Sequence, residues 1–230
     1  MKNYFFYLVL FSAVCLFAQD KKVETPFAAV DSLYREDQFF LGITYNTLIK
    51  KPVGFKQDGV SIGINAGFLR DIPLNKSRTV AIAIGVGATY NKYHQNLRVS
   101  RPDKTAIYQL IGDQPYDRNK LEQVMLNLPF EFRWRTSTPE KYDFFRVYTG
   151  FKMSYLIYNK TLYVGDDGIE NVQNNSDFNK FQYGPTISLG YNTWNLHAFY
   201  GINPIFSGAV VNGEEIQMRN LNLGLIFYIL

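Results

Sequence analysis

The sequence predicts an all-β chain: an eight-stranded antiparallel transmembrane β-barrel of the outer membrane. Three observations carry that prediction. From Phe39 onward the apolar residues repeat with a period of two rather than 3.6. The repeat falls into eight segments of about ten residues, the length a tilted strand needs to cross a bilayer. Glycines inside those segments lie on the polar face throughout. The composition agrees, because a chain with 47% hydrophobic and 17% aromatic residues still averages a mean hydropathy of only −0.16. Its apolar residues must therefore be interleaved with polar ones. The same figures exclude a disordered chain, which lacks apolar mass, a disulfide framework, which needs more than one Cys, and a polytopic helical membrane protein, which needs apolar runs of about 18 residues.

Residues 1–18 read as a secretory signal peptide. Lys2 supplies the positive start, Tyr4 to Phe17 is apolar apart from Ser12, and Phe17-Ala18 precedes Gln19-Asp20 as the cleavage site. A membrane-anchoring helix is the alternative, but the stretch is short for one and no positive cluster closes it. A lipid-modified Cys15 is disfavoured by Val14 before it and by the apolar run after it. Cleavage removes that single Cys and leaves an export-compatible chain of net charge +3 (+4 less Lys2). That balance gives no argument for nucleic acid as a partner. Residues 19–37 form a charged periplasmic lead, with a short helix expected near 28–35, and residues 38–230 form the barrel.

The first strand sets Phe39, Leu41, Ile43, Tyr45 and Ile49 against Gly42, Thr44 and Asn46. The second sets Val60, Ile62, Ile64, Ala66 and Phe68 against Ser61, Gly63, Asn65 and Gly67. The third carries Val80, Ile82, Ile84, Val86, Ala88 and Tyr90 opposite Gly85, Gly87 and Thr89. In the fourth, Val124, Leu126, Leu128, Phe130, Phe132 and Trp134 oppose Asn127, Glu131, Arg133 and Arg135. The fifth opposes Phe145, Val147, Phe151, Met153, Tyr155 and Ile157 to Arg146, Gly150, Lys152 and Ser154. The sixth turns Phe181, Tyr183, Ile187, Leu189 and Tyr191 away from Gln182, Gly184, Thr186, Ser188 and Gly190. The seventh, less regular, has Leu196, Ala198, Tyr200 and Ile202 against Asn195, His197, Gly201 and Asn203. The last carries Leu221, Leu223, Leu225, Phe227 and Ile229 against Asn220, Asn222, Gly224 and Tyr228.

An eight-stranded barrel is only wide enough for its own side chains, so an inward face of Gly, Ser, Thr and Asn is expected. A soluble lipocalin-like barrel or sandwich would reverse the arrangement, bulky inside and charged outside. Residues 50–58, 91–123, 160–177 and 205–215 are expected as outer loops. Residues 70–79, 136–143 and 192–193 are expected as periplasmic turns, matching the usual long-outside, short-inside asymmetry except at the first pair. Pro129 removes a ladder hydrogen bond, which a β-bulge would accommodate.

The chemistry available is sparse. Nucleophile-elbow, phosphate-loop and paired-metal motifs are absent from the sequence, so no catalytic, cofactor or metal residue is assigned and no cofactor is expected. His94 and His197 have no metal-ligand spacing. Asp166-Asp167-Gly168 lacks the rest of a calcium loop and reads as a turn. The candidate set is a polar lumen network of Glu131, Arg133, Arg146, Lys152, Gln182 and His197. Paired charges in a narrow interior form a structural plug; a gated polar pathway is the alternative. The 91–123 loop, with Tyr93, His94, Tyr108 and Tyr116, suits either a protein contact or a self-packed loop.

Several motifs carry a family resemblance. Leu128-Pro129-Phe130-Glu131-Phe132-Arg133-Trp134-Arg135 resembles the Ile-Pro-Leu strand of the Bacteroidetes outer-membrane barrel family that includes PorT, also called SprT. Tyr148-Thr149-Gly150-Phe151 with Ser154-Tyr155-Leu156 resembles that family's next strand. Tyr183-Gly184-Pro185 through Gly190, Tyr200-Gly201-Ile202-Asn203-Pro204 and Arg219-Asn220-Leu221-Asn222-Leu223-Gly224-Leu225 resemble its last three. The chain departs from it at Ile229-Leu230, where an aromatic end is usual. The resemblance implies an eight-stranded outer-membrane barrel, non-enzymatic, required for or accessory to type IX secretion and gliding motility. Its implied partners are outer-membrane lipid and type IX secretion components. A structural or adhesive barrel acting through its outer loops is the competing reading. A lipid enzyme would require Ser, His or acidic residues clustered at one rim.

Overall fold

A computed structural model describes residues 37–103, 105–112, 114–136 and 145–229. The expected signal peptide, the lead up to residue 36 with its short helix, and nearly all of the 136–143 turn lie outside the described residues. Thirteen strands run in chain order among those described: β1 (Asp37–Ile49), β2 (Ile62–Pro73), β3 (Val80–His94), β4 (Leu97–Ser100), β5 (Ile107–Leu110), β6 (Arg118–Arg135), β7 (Phe145–Gly165), β8 (Gly168–Gln173), β9 (Phe181–Tyr191), β10 (Trp194–Tyr200), β11 (Val210–Val211), β12 (Glu214–Glu215) and β13 (Arg219–Ile229). Eight of them close a barrel in the order β1, β2, β3, β6, β7, β9, β10, β13. Every pairing is antiparallel, and β13 returns to β1 from Phe39↔Ile229 to Ile49↔Arg219. Closure removes the unpaired edges that an open sheet of this composition would expose.

The period-two pattern becomes two opposed faces. Outward residues such as Phe39, Ile43, Val86, Leu128 and Met153 are exposed, whereas Gly42, Asn46, Asn127 and Ser154 are buried inside. Outward aromatic pairs ring the turn end: Phe39 with Phe68, Phe145 with Tyr191 and Trp194 with Phe227, at centroid distances of 5.4, 4.7 and 5.4 Å. On β6 the apolar outward run extends from Trp134 to Val124, which pairs with Tyr90 on β3 and Tyr158 on β7. Ten residues rising about 3.3 Å each at a tilt of about 40° span about 25 Å, the height of an outer-membrane apolar band. Immediately beyond it the outward positions switch to Lys92, Glu122 and Lys160, directly opposite one another across three strands.

The inward glycines make room where strands carry large inward neighbours. Gly67 and Gly87 face each other across β2 and β3, and the Phe40 ring lies over both. A Cβ on Gly67 would come within 2.6 Å of Phe40 Cε1, and one on Gly87 within 2.8 Å of Phe40 Cζ. At the β9–β10 turn, Asn192 adopts a φ of 52°, which Asn tolerates and which a two-residue hairpin requires.

The structure corrects several expectations. β6 and β7 run well past the apolar band, so the loops expected over 91–123 and 160–177 are partly barrel wall and partly the β4–β5 and β7–β8 hairpins. β2 begins at Ile62 rather than Val60, β10 stops at Tyr200, and the turn expected over 70–79 shrinks to 74–79. That shortening restores the short-turn pattern at the first pair. No bulge forms at Pro129. Register with β3 is unchanged on either side, Ile84↔Phe130 and Gly87↔Asn127; the ladder simply lapses opposite Leu128 and Pro129. The register shift falls higher up, between Val124 and Met125, where Ile157 is the extra residue on β7.

Candidate functional site

The interior is layered. At the turn end, β3 contributes Ala81 and Ala83, both fully buried, and their small size lets side chains of β2 and β6 meet across it. Asp71 of β2 accepts Arg133 Nη1 at 2.8 Å on one oxygen and Arg135 Nη2 at 2.9 Å on the other. Arg133 Nε donates to Glu131 Oε2 at 2.9 Å and Nη1 to Gln38 Oε1 at 2.8 Å. The rings of Tyr148 and Tyr228 lie 4.6 and 5.1 Å from the guanidinium, so cation–π contacts add to the ion pairs. Two carboxylates, Asp71 and Glu131, balance two guanidiniums, Arg133 and Arg135. Charges removed from water need this pairing to be tolerated at all.

Midway along the barrel the polar inward face becomes a hydrogen-bonded belt. Ser154 Oγ donates to Asn127 Oδ1, Asn127 Nδ2 to Thr89 Oγ1 and Thr89 Oγ1 to Asn65 Oδ1, at 2.7, 2.6 and 2.7 Å, linking four adjacent strands. A cavity of about 30 Å³ remains beside it, lined by Lys152, His197, Glu131 and Asn127 among others. One water needs about 10–15 Å³, so this space suits one or two waters. His197 Nδ1 lies 2.8 Å from Ser188 Oγ, and Lys152 Nζ sits 4.0 Å above the Phe199 ring.

The loop end departs from the expected polar lumen. Leu48, Tyr93, Leu121, Met125 and Leu156 point inward there and join Val99, Tyr108, Phe178, Ile205, Phe206, Ile216 and Met218 in one buried apolar cluster. The Phe178 and Phe206 rings pack at a 40° tilt with centroids 4.4 Å apart. The loops over this cluster are pinned by side chains: Asn96 Nδ2 donates to the carbonyls of Gly54 and Ile111, both at 3.0 Å, and its Oδ1 accepts the Lys56 N–H at 2.7 Å. Tyr108 donates its hydroxyl to Asp177 at 2.9 Å, and burial pushes that phenol's pKa up. Outside the cluster, Arg98 pairs with Asp167 at 2.5 Å and Glu170 at 2.8 Å. Hydrogen bonds from Tyr163 and then Arg98 hold the Asp167 carboxyl below its ordinary pKa. Asp166 and Asp167 are the two-residue turn of the β7–β8 hairpin.

The six candidate lumen residues therefore occupy separate places. Glu131 and Arg133 share the turn-end cluster; Lys152 and His197 share the cavity that Glu131 also lines. Arg146 donates to the Asn192 carbonyl at the β9–β10 turn. Gln182 lies higher, accepting from Asn220 Nδ2 at 2.8 Å, and Asn220 in turn accepts the Tyr93 hydroxyl at 2.9 Å. Asp71 and Gln38 escaped the sequence reading because each lay beyond an assumed strand end. The parity of Asp71 with Gly63, Asn65 and Gly67 is the signal that identifies it.

No curated protein matches this sequence. A family model described as the outer membrane protein beta-barrel domain matches residues 17–207, which with the closed eight-stranded wall establishes that the chain belongs to that family of outer-membrane barrels.

Proposed function

We propose that this protein is a non-enzymatic component of a Bacteroidetes-type outer membrane, required for or accessory to type IX protein secretion and gliding motility. It acts through its folded outer end rather than through its lumen. The outward apolar band contacts lipid, the turn-end charge cluster serves as a structural plug, and residues 1–18 direct export. The observation that carries the choice between lumen and cap is the interior itself: the charge cluster and belt leave about 30 Å³ beside them, and an apolar cluster closes the loop end. An unfolded cargo chain has no route through such a wall. The secretion role is supported by the resemblance of the 128–135, 148–156 and 183–225 motifs to the family that includes PorT.

A structural or adhesive role through the outer cap is the second reading, favoured by how firmly the loops are pinned. Deleting the gene separates the two. Under the secretion reading, the mutant retains type IX cargo inside the cell and stops spreading on a surface. Normal cargo export together with normal motility sinks it, and loss of surface binding alone supports the adhesive role.

A further inference from the structure

The β8 strand carries a feature that the barrel does not use. Among the described residues it pairs with β7 alone, so one of its edges is open. Its two-residue turn makes Gly165 and Gly168 the closing hydrogen-bonded pair. Alternation along an antiparallel ladder then gives Glu170 and Val172 to β7 and points the backbone N–H and C=O groups of Ile169, Asn171 and Gln173 away from it. A trough of about 480 Å³ runs along this free edge, with Ser100, Arg101 and Pro102 forming its opposite wall. Two buried polar atoms of the lining residues lack a hydrogen-bond partner, Arg101 Nε and Glu170 Oε2. Arg101 otherwise donates to Asn175 at 3.1 Å, and Glu170 accepts Arg98 on its other oxygen. Ile169, 72% exposed, is an uncovered apolar side chain at the same edge.

From these observations we infer that the β8 edge is a docking site for an extended polypeptide strand of a partner protein, added to the sheet by main-chain hydrogen bonding. The chemistry on both walls matches such a strand. An extended backbone supplies donors and acceptors to Ile169, Asn171 and Gln173. An acidic side chain on it pairs with the partly exposed Arg101, which has no carboxylate within ion-pair distance among the described residues. An apolar residue on the strand covers Ile169. The site lies beyond Lys160, on the water side of the apolar band, where polypeptides have access. It goes beyond the secretion reading and stands without it.

The test uses the purified full chain in detergent micelles. The probe is an eight-residue peptide of alternating Thr and Val with one central Asp, and the control replaces that Asp by Pro. The Asp peptide is expected to slow amide exchange at Ile169, Asn171 and Gln173 about tenfold or more, leaving Glu170 and Val172 unchanged; the Pro peptide has no effect. Asn171→Pro removes an outward N–H that β7 does not use, a position where an edge strand tolerates proline. It is expected to abolish the protection while the β7 ladder amides stay slow, which also reports that the hairpin remains folded. Arg101→Ala weakens binding about tenfold, consistent with one lost charge-assisted hydrogen bond. Equal binding by Asn171→Pro, or no protection at millimolar peptide, overturns the inference. Protection by lipopolysaccharide or inorganic phosphate but not by peptide overturns it too and assigns the trough to anions.

Discussion

Replacing Asp71 by Ala is expected to cost the barrel about 3–5 kcal/mol, the range for removing one partner from a buried ion pair. Asp71 is wholly buried and is the carboxylate shared by Arg133 and Arg135, themselves 0% and 2% exposed at their side chains. Its loss leaves two guanidiniums facing the single carboxylate of Glu131 in a space with no bulk water. The measurement is urea unfolding of the protein refolded into lipid vesicles, followed by the fluorescence of Trp134 and Trp194. A double change, Asp71→Leu with Arg135→Met, restores charge balance by leaving Arg133 with Glu131, and is expected to recover at least half of the loss. A buried pair replaced whole by apolar groups is nearly neutral. If Asp71→Ala unfolds at the same urea concentration as the parent, the cluster does not hold the turn end together.

Leu128→Arg is expected to cost about 2–4 kcal/mol, because position 128 lies outward near the middle of the apolar band, where a cation must be dragged into hydrocarbon. Leu128 is exposed in the isolated chain and pairs with Met153, also outward. In water such a substitution at an exposed site has an effect within about 0.5 kcal/mol. The control is Ile169→Arg, also outward and exposed but beyond the band, which is expected to leave unfolding in vesicles unchanged. Equal, small effects at both positions would mean that the outward face meets water, not lipid.

The eight barrel strands were legible because the alternation that encodes them is a record of what each face meets. Where the wall has an apolar environment outside and a narrow interior, parity is nearly strict, and Gly67, Gly87, Asn127 and Ser154 fall inside as read. The code stops at Lys92, Glu122 and Lys160. The inward positions turn apolar from Met125 and Leu156, just below that level, up to Tyr93 and Leu121 above it, as in a soluble core. The sequence reading assigned most of this region to loops for that reason, and so did not foresee the cap. Asp71 was hidden in an assumed turn, and the extra residue Ile157 falls inside an apolar run that gives no local sign of a bulge. Pro129 misled in the opposite direction: the proline is tolerated by letting the β3 ladder lapse over two positions, with no change of register. Of the candidate site, the residue types were legible and their grouping was not. Which inward side chains meet depends on strand stagger and on small neighbours such as Ala81 and Ala83, and neither is written in a single strand.

On the function proposed above, the barrel spans the outer membrane as a sealed wall whose working surface is its outer cap. Electrical recording from the purified full chain in a planar lipid bilayer tests it most directly. The sealed interior predicts insertion without stepwise conductance at any applied voltage the bilayer withstands. Discrete, reproducible conductance steps from the parent protein would show a continuous aqueous path through the lumen and would contradict the account.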